Sequence, residues 1–164
     1  MQPIPVNAPG QHVERMRSYS AIYQMTRCGK GRGRMTTTTE AVQYLKWKKD
    51  VDPHDYASAS SYLSIRFGES RAEKIAAELK KLPVITRRAN DILRATGRVP
   101  LPLSDPGVLR DLKKVLAGEK LSPILVAEAD IADGYHRVSL AYALDPYAVL
   151  PLKLGGVGVG AVQN

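Results

Sequence analysis

Gly134, His136 and Arg137 put a turn-forming glycine, an imidazole and a guanidinium at what reads as the start of a helix. An apolar run precedes them and a helix-like run follows. The first N–H groups of a helix have no intrahelical partner, and the helix dipole is positive there, so an anion can dock on them. A histidine and an arginine at the same place add charge-assisted donors. The stretch Asp133-Gly134-Tyr135-His136-Arg137 therefore reads as an oxyanion site, with phosphate as the natural ligand. The plainer alternative is a turn in which Gly134 only supplies a positive φ. Asp133 is awkward because a carboxylate repels phosphate. It reads as a helix cap, with a magnesium ion bridging to phosphate as the second reading. Tyr135 either stacks on a base or covers the edge of the core. Arg137 is expected to be solvent-accessible at the helix start.

The flanking sequence predicts the elements that must position this loop. Pro123-Ile124-Leu125-Val126 reads as a short buried strand, Glu128-Ala129-Asp130 as a tight turn, and Ile131-Ala132 as the return strand. A helix is expected from Tyr135 to Leu144, stopped by Asp145-Pro146, and a last strand over 149–154. Upstream, Ser104-Asp105-Pro106 is a helix start with a cap and a first-turn proline. Leu109, Leu112, Val115 and Leu116 form its apolar face, and Gly118 ends it. Prolines 100 and 102 forbid helix over 98–103, so 99–103 is expected as an extended sheet strand. Before that the pattern is helical. One helix is expected over 39–49. A second opens at Asp52-Pro53 and stops at Gly68. A third starts at the capping box of Ser70 and Glu73 and buries Ala72, Ile75, Ala76, Leu79 and Leu82. A fourth runs over 86–96, stopped by Gly97.

The expected architecture is α+β: a helical half packed on a small mixed sheet of 99–103, 124–127, 130–132 and 149–154. The divisions are a disordered or loosely attached basic segment over 1–34, a helical region over 35–97, the loop-bearing domain over 98–154, and a glycine-rich flexible tail over 155–164. Of the net charge of +8, residues 1–34 carry +5, from six basic residues against Glu14. That uneven placement weakens the inference from basicity to nucleic-acid binding. Met35, followed by four threonines and a helical pattern, is an equally good start of the translated chain. No apolar run is long enough to span a membrane, and no secretory h-region follows the N-terminus. The single cysteine, Cys28, excludes an internal disulfide and a cysteine-based zinc site. A cytoplasmic protein with no membrane association is the expectation.

Residues 98–154 resemble the ParB/sulfiredoxin-like fold family. The resemblance is carried by the helix Leu112 to Gly118, the strand Leu121-Ser122-Pro123-Ile124-Leu125-Val126, the loop Asp133-Gly134-Tyr135-His136-Arg137, the helix end Ala141 to Leu144, and Val149-Leu150-Pro151-Leu152. With Asp91-Ile92-Leu93-Arg94-Ala95 included, the chain is similar to a bacterial branch that carries a helical N-terminal half before this fold. The resemblance implies phosphate or nucleotide binding through Gly134, His136 and Arg137, with ATP or CTP as the candidate nucleotide and magnesium as its companion. Sulfiredoxins carry a catalytic cysteine where this chain has Tyr135, and a phenol cannot form the thiosulfinate their chemistry needs. ParB proteins have a more arginine-rich loop and a helix-turn-helix region after it, which residues 155–164 do not supply. The family includes nucleotide switches, small-molecule kinases and nucleases, so the fold does not decide whether the chain is an enzyme.

Accessory candidates are weaker. Ser104 and Asp105 occupy the place where the family's first box meets nucleotide, or else only cap a helix. Arg87, Arg88, Arg94 and Arg98 read as a basic face beside the loop, or as ordinary solvated charge. Trp47, among Lys46, Lys48 and Lys49, reads as a half-buried tryptophan before it reads as a base-stacking platform. His54 has no metal-spaced partner, and no metal site is expected. The alternatives to phosphate binding are a non-catalytic DNA-associated protein, using the basic arm and the arginine face, and a partner-binding module with a relic loop.

Overall fold

The computed structural model describes residues 44–156. The expected disorder of 1–34, the helix start over 39–43 and most of the glycine-rich tail lie outside the described residues. The element order is α1 (Pro53–Phe67), α2 (Glu69–Lys81), β1 (Ile85–Arg88), α3 (Ala89–Thr96), α4 (Pro106–Leu116), β2 (Ile124–Ala127), β3 (Asp130–Asp133), α5 (Tyr135–Leu144) and β4 (Val149–Gly155). The strands form one mixed sheet in the order β1-β4-β2-β3. β1 runs antiparallel to β4 with Ile85 opposite Leu152. β4 runs parallel to β2, and β2 antiparallel to β3. The fold is therefore mixed α+β with a small mixed sheet.

All four residues of β2 are buried, because helices cover both faces of the sheet. Successive side chains of a strand point to opposite faces. Ile124 and Val126 join Ile131, Leu150 and Leu152 under α3 and α5, where Ile92, Leu93, Val138 and Ala141 pack. Leu125 and Ala127 join Ala132 under α1 and α2, where Ala59, Leu63, Ile75 and Leu79 pack. A four-residue apolar run between turn signals is thus a doubly covered strand. β4 carries a buried lysine on the second face. Lys153 is 2% exposed, with Nζ 2.9 Å from Asp50 Oδ1 and donating to the Lys80 carbonyl at 3.1 Å.

Four expectations need correction. The segment 44–49 is not helical: Trp47 makes a parallel bridge to Leu121, and Lys48 N–H donates to the Leu121 carbonyl at 2.8 Å. Helix α2 begins two residues earlier than the Ser70 capping box requires, with Gly68 at its N-cap and no side-chain cap bond. Residues 85–88 form an edge strand rather than the first turn of a helix, since pairing with β4 overrides local preference. Residues 99–103 form no strand. Prolines 100 and 102 lack the N–H that a ladder needs. This segment is instead tied to α5: Ser139 Oγ accepts from Leu101 N–H at 3.0 Å, and the Tyr135 hydroxyl donates to the Val99 carbonyl.

The hairpin between β2 and β3 turns through Glu128 and Ala129, at φ 51° and 58°. Both are non-glycine residues in the left-handed region, where an L side chain is strained. No helix among the described residues is long and apolar enough to cross a membrane.

Candidate functional site

β3 ends at Asp133, and Gly134 turns the chain into α5 with φ 96°. Glycine is required there twice over. The left-handed backbone disfavours a side chain. A Cβ would also lie 2.8 Å from Ile124 Cδ1 and 3.1 Å from both Nε and Nη2 of Arg137. The Arg137 guanidinium therefore folds back beneath the loop. Its Nη1 donates to Asp55 Oδ2 at 2.8 Å, and its Nη2 pairs with Asp133. Its side chain is only 11% exposed. The expectation of a solvent-facing Arg137 is corrected: α1 brings a buried carboxylate, Asp55, against it from 82 residues away.

Asp133 does not cap α5, which has no side-chain cap bond at all. Its carboxylate turns to Arg137 instead. Burial raises the Asp133 carboxyl above its ordinary value; Arg137 opposes this and the nearby Asp55 adds to it. Burial also works to raise Asp55, but Ser122, Arg137 and His54 outweigh it and hold Asp55 below its ordinary value.

The uncapped first turn of α5 contrasts with that of α4. Asp105 Oδ1 accepts from Gly107 N–H at 2.8 Å and Val108 N–H at 3.1 Å, so α4 is capped as its sequence predicts. The two helices pack together. The His136 ring lies across the first turn of α4, so close that a Cβ on Gly107 would sit 2.3 Å from its Cδ2. Nε2 of His136 stands 3.6 Å from Asp105 Oδ1, and the side chain is 47% exposed. His136 is thus the exposed basic group of the loop, flanked by one capped and one uncapped helix start.

Tyr135 is tied through its hydroxyl to Val99, and the Arg98 guanidinium lies 5.6 Å from its ring centroid. Arg98 itself is committed to Asp130, with Nε and Nη2 donating to the two carboxylate oxygens at 2.8 Å. Arg66 and Tyr62 from α1 reach the same carboxylate at 2.5 Å. Burial alone would raise Asp130, but Arg98, Tyr62 and the Ile131 N–H bring it down from 3.8 to about 2. Arg98 is therefore a brace and not a free member of a basic face. Arg94 is exposed on α3, Ser104 is exposed, and Arg87 and Arg88 are exposed on β1.

His54 has closer neighbours than its sequence position suggests. Asp52, His54 and Asp55 offer atoms within 4.8 Å of one another. Lys48 grips Asp52 at 2.7 and 2.9 Å, and Arg137 grips Asp55. The positive start of α1 lies under the group. Its carboxylates are thus already matched by internal cations.

As a receptor for phosphate, the loop offers the uncapped N–H groups of α5 and the His136 imidazole. That donor set fits one phosphate group. A triphosphate would need further cations, and both forks of Arg137 already face carboxylates. Asp133, the candidate magnesium ligand, is bound to the same arginine. Sequence reasoning missed Asp55 and Gly107. Asp55 reads only as a first-turn acid of α1. Gly107 carries a faint signal, a helix-weakening residue inside a helix start. Searches against protein-family models, curated proteins and solved structures find no match to the chain.

Proposed function

We propose that this chain is a nucleotide- or phosphate-binding protein of ParB/sulfiredoxin-like type. In this reading the backbone N–H groups of Gly134, Tyr135 and His136 and the His136 imidazole receive the phosphate. Arg137 holds the loop in shape from beneath, with Asp55 and Asp133 as its anchors. The observation that carries the reading is the first turn of α5, which no side chain caps, beside an exposed histidine. An anion placed there completes the unpaired donors and meets the positive end of the helix. Tyr135 and Arg98 form an aromatic and cationic wall next to it.

The test is calorimetry with ATP, CTP, ADP and GTP and with inorganic phosphate, each with and without magnesium. Binding is expected for at least one of them. His136→Ala should weaken it on the order of tenfold, the loss of a charge-assisted hydrogen bond. A folded sample that gives no heat with any ligand removes the reading. The second reading, a DNA-associated protein, is favoured by the exposure of Arg87, Arg88 and Arg94. It requires duplex binding that falls steeply with salt.

A further inference from the structure

The two edges of the sheet are finished differently. α1 packs along β3, and Asp130 at the start of that strand is gripped by Tyr62, Arg66 and Arg98. At the other edge no element among the described residues lies beyond β1. Thr86, Arg87 and Arg88 are exposed there. Tyr147 and Val149 beside them are 64% and 57% exposed. Among the described ion pairs, none involves Arg87 or Arg88, and Arg87 turns back to the Thr86 carbonyl at 2.7 Å.

We propose that β1 is a docking edge for an acidic, extended segment of a partner protein, which adds to the sheet as a fifth strand. An edge strand presents N–H and C=O groups in the spacing that another strand matches, and Arg87 must release the Thr86 carbonyl as the strand docks. The side chains then choose the partner. Arg88 shares a face with Thr86 and lies opposite Val149, while Arg87 projects to the other face with Ile85. Two arginines on opposite faces meet a DNA duplex together only if it lies edge-on to β1. They do flank both sides of an added strand. Acidic residues on that strand would meet an arginine on each face as cross-strand pairs, and an apolar residue would cover Val149. The same charges repel a second copy of β1, so the edge is guarded against self-pairing and open to the opposite charge.

The test uses the full chain, isotope-labelled, with a synthetic octapeptide of repeated Glu-Glu-Val-Val, which sets a Glu on each face of the strand, as probe and its Lys-Lys-Val-Val counterpart as control. The acidic peptide should shift the amide signals of 85–88 and slow their hydrogen exchange, and the basic one should not. Arg87→Glu with Arg88→Glu should lower the affinity for the acidic peptide about tenfold and admit the basic one. Both residues are exposed, so thermal unfolding should be unchanged. If the double variant fails to fold, Arg88→Gln alone should still weaken binding. Equal binding of both peptides, shifts away from β1, an affinity insensitive to these substitutions, or no binding at millimolar peptide overturns the proposal. So does a DNA duplex that shifts 85–88 when the acidic peptide does not.

Discussion

Around Arg137 one cation sits between two carboxylates, Asp55 and Asp133; around Asp130 one carboxylate sits between two cations, Arg66 and Arg98, with Tyr62 beside them. Both clusters tie α1 to the sheet region. They differ in which members reach water. Arg137, Asp55 and Asp133 are 11%, 4% and 21% exposed, so the first cluster keeps its charges largely out of solvent. In the second only Asp130 is enclosed, and Arg66 and Arg98 are 44% and 36% exposed. Losing a partner is expensive where the ion left behind cannot rehydrate, and mild where it can. The loop that carries His136 rests on the first kind.

The largest expected effect follows from that difference. Arg137→Ala leaves the buried Asp55 carboxylate with only Ser122 and the exposed His54 beside it and should destabilise the fold by about 3 kcal/mol, the lower end for breaking a buried pair from one side. Asp130→Asn leaves arginines that can turn to solvent and should cost only about 1–2 kcal/mol. Urea unfolding of the two variants compares them directly. Equal losses would break the distinction.

Acid should separate the clusters next. Asp130, at about 2, and Asp55 both titrate below the ordinary 3.8. Their contributions are present above that value and fade as pH falls from 3.8 toward 2. Asp133 is shifted upward, so its protonated form is favoured in the folded state and it adds relative stability as pH falls. Wild type should therefore lose less stability on acidification than Asp133→Asn, which removes that compensation. Urea midpoints between pH 7 and 2.5 measure the two slopes. Parallel profiles would show that Asp133 titrates alike in the folded and unfolded chain.

The smallest effect isolates backbone from charge. Ala129 lies next to Asp130 with φ 58° and no ionic role. Ala129→Gly should raise stability by about 0.5–1 kcal/mol, the relief of a left-handed backbone less the added freedom of glycine when unfolded. A loss would mean that the hairpin, not its charges, limits how Asp130 is placed.

The helices and the β2–β3 hairpin were legible because their signals are local. Gly68, Gly97 and Asp105-Pro106 mark helix ends, and the apolar spacing of Ile75, Ala76 and Leu79 needs no partner to be read. The strand 85–88 was not legible, because Ile-Thr-Arg-Arg becomes a strand only by lying against Val149–Leu152. The prolines that ruled out helix over 99–103 also ruled out a ladder, a signal available in the residues themselves. At the loop, the glycine turn and the helix start were readable. The burial of Arg137 was not: it depends on Asp55, whose approach is set by the packing of α1 on β2 and β3. A short motif specifies donors, and the tertiary fold decides which of them remain free.

Lys153 gives the sheet a built-in chemical clock. Every other lysine among the described residues is exposed, and this one is 2% exposed, held by Asp50 and a backbone carbonyl. An amine-acylating reagent should mark the other lysines within the mixing time and reach Lys153 only when β4 leaves its place between β1 and β2. The rate at which that last mass increment accumulates then reports how often the sheet opens around Lys153, without substitution or denaturant.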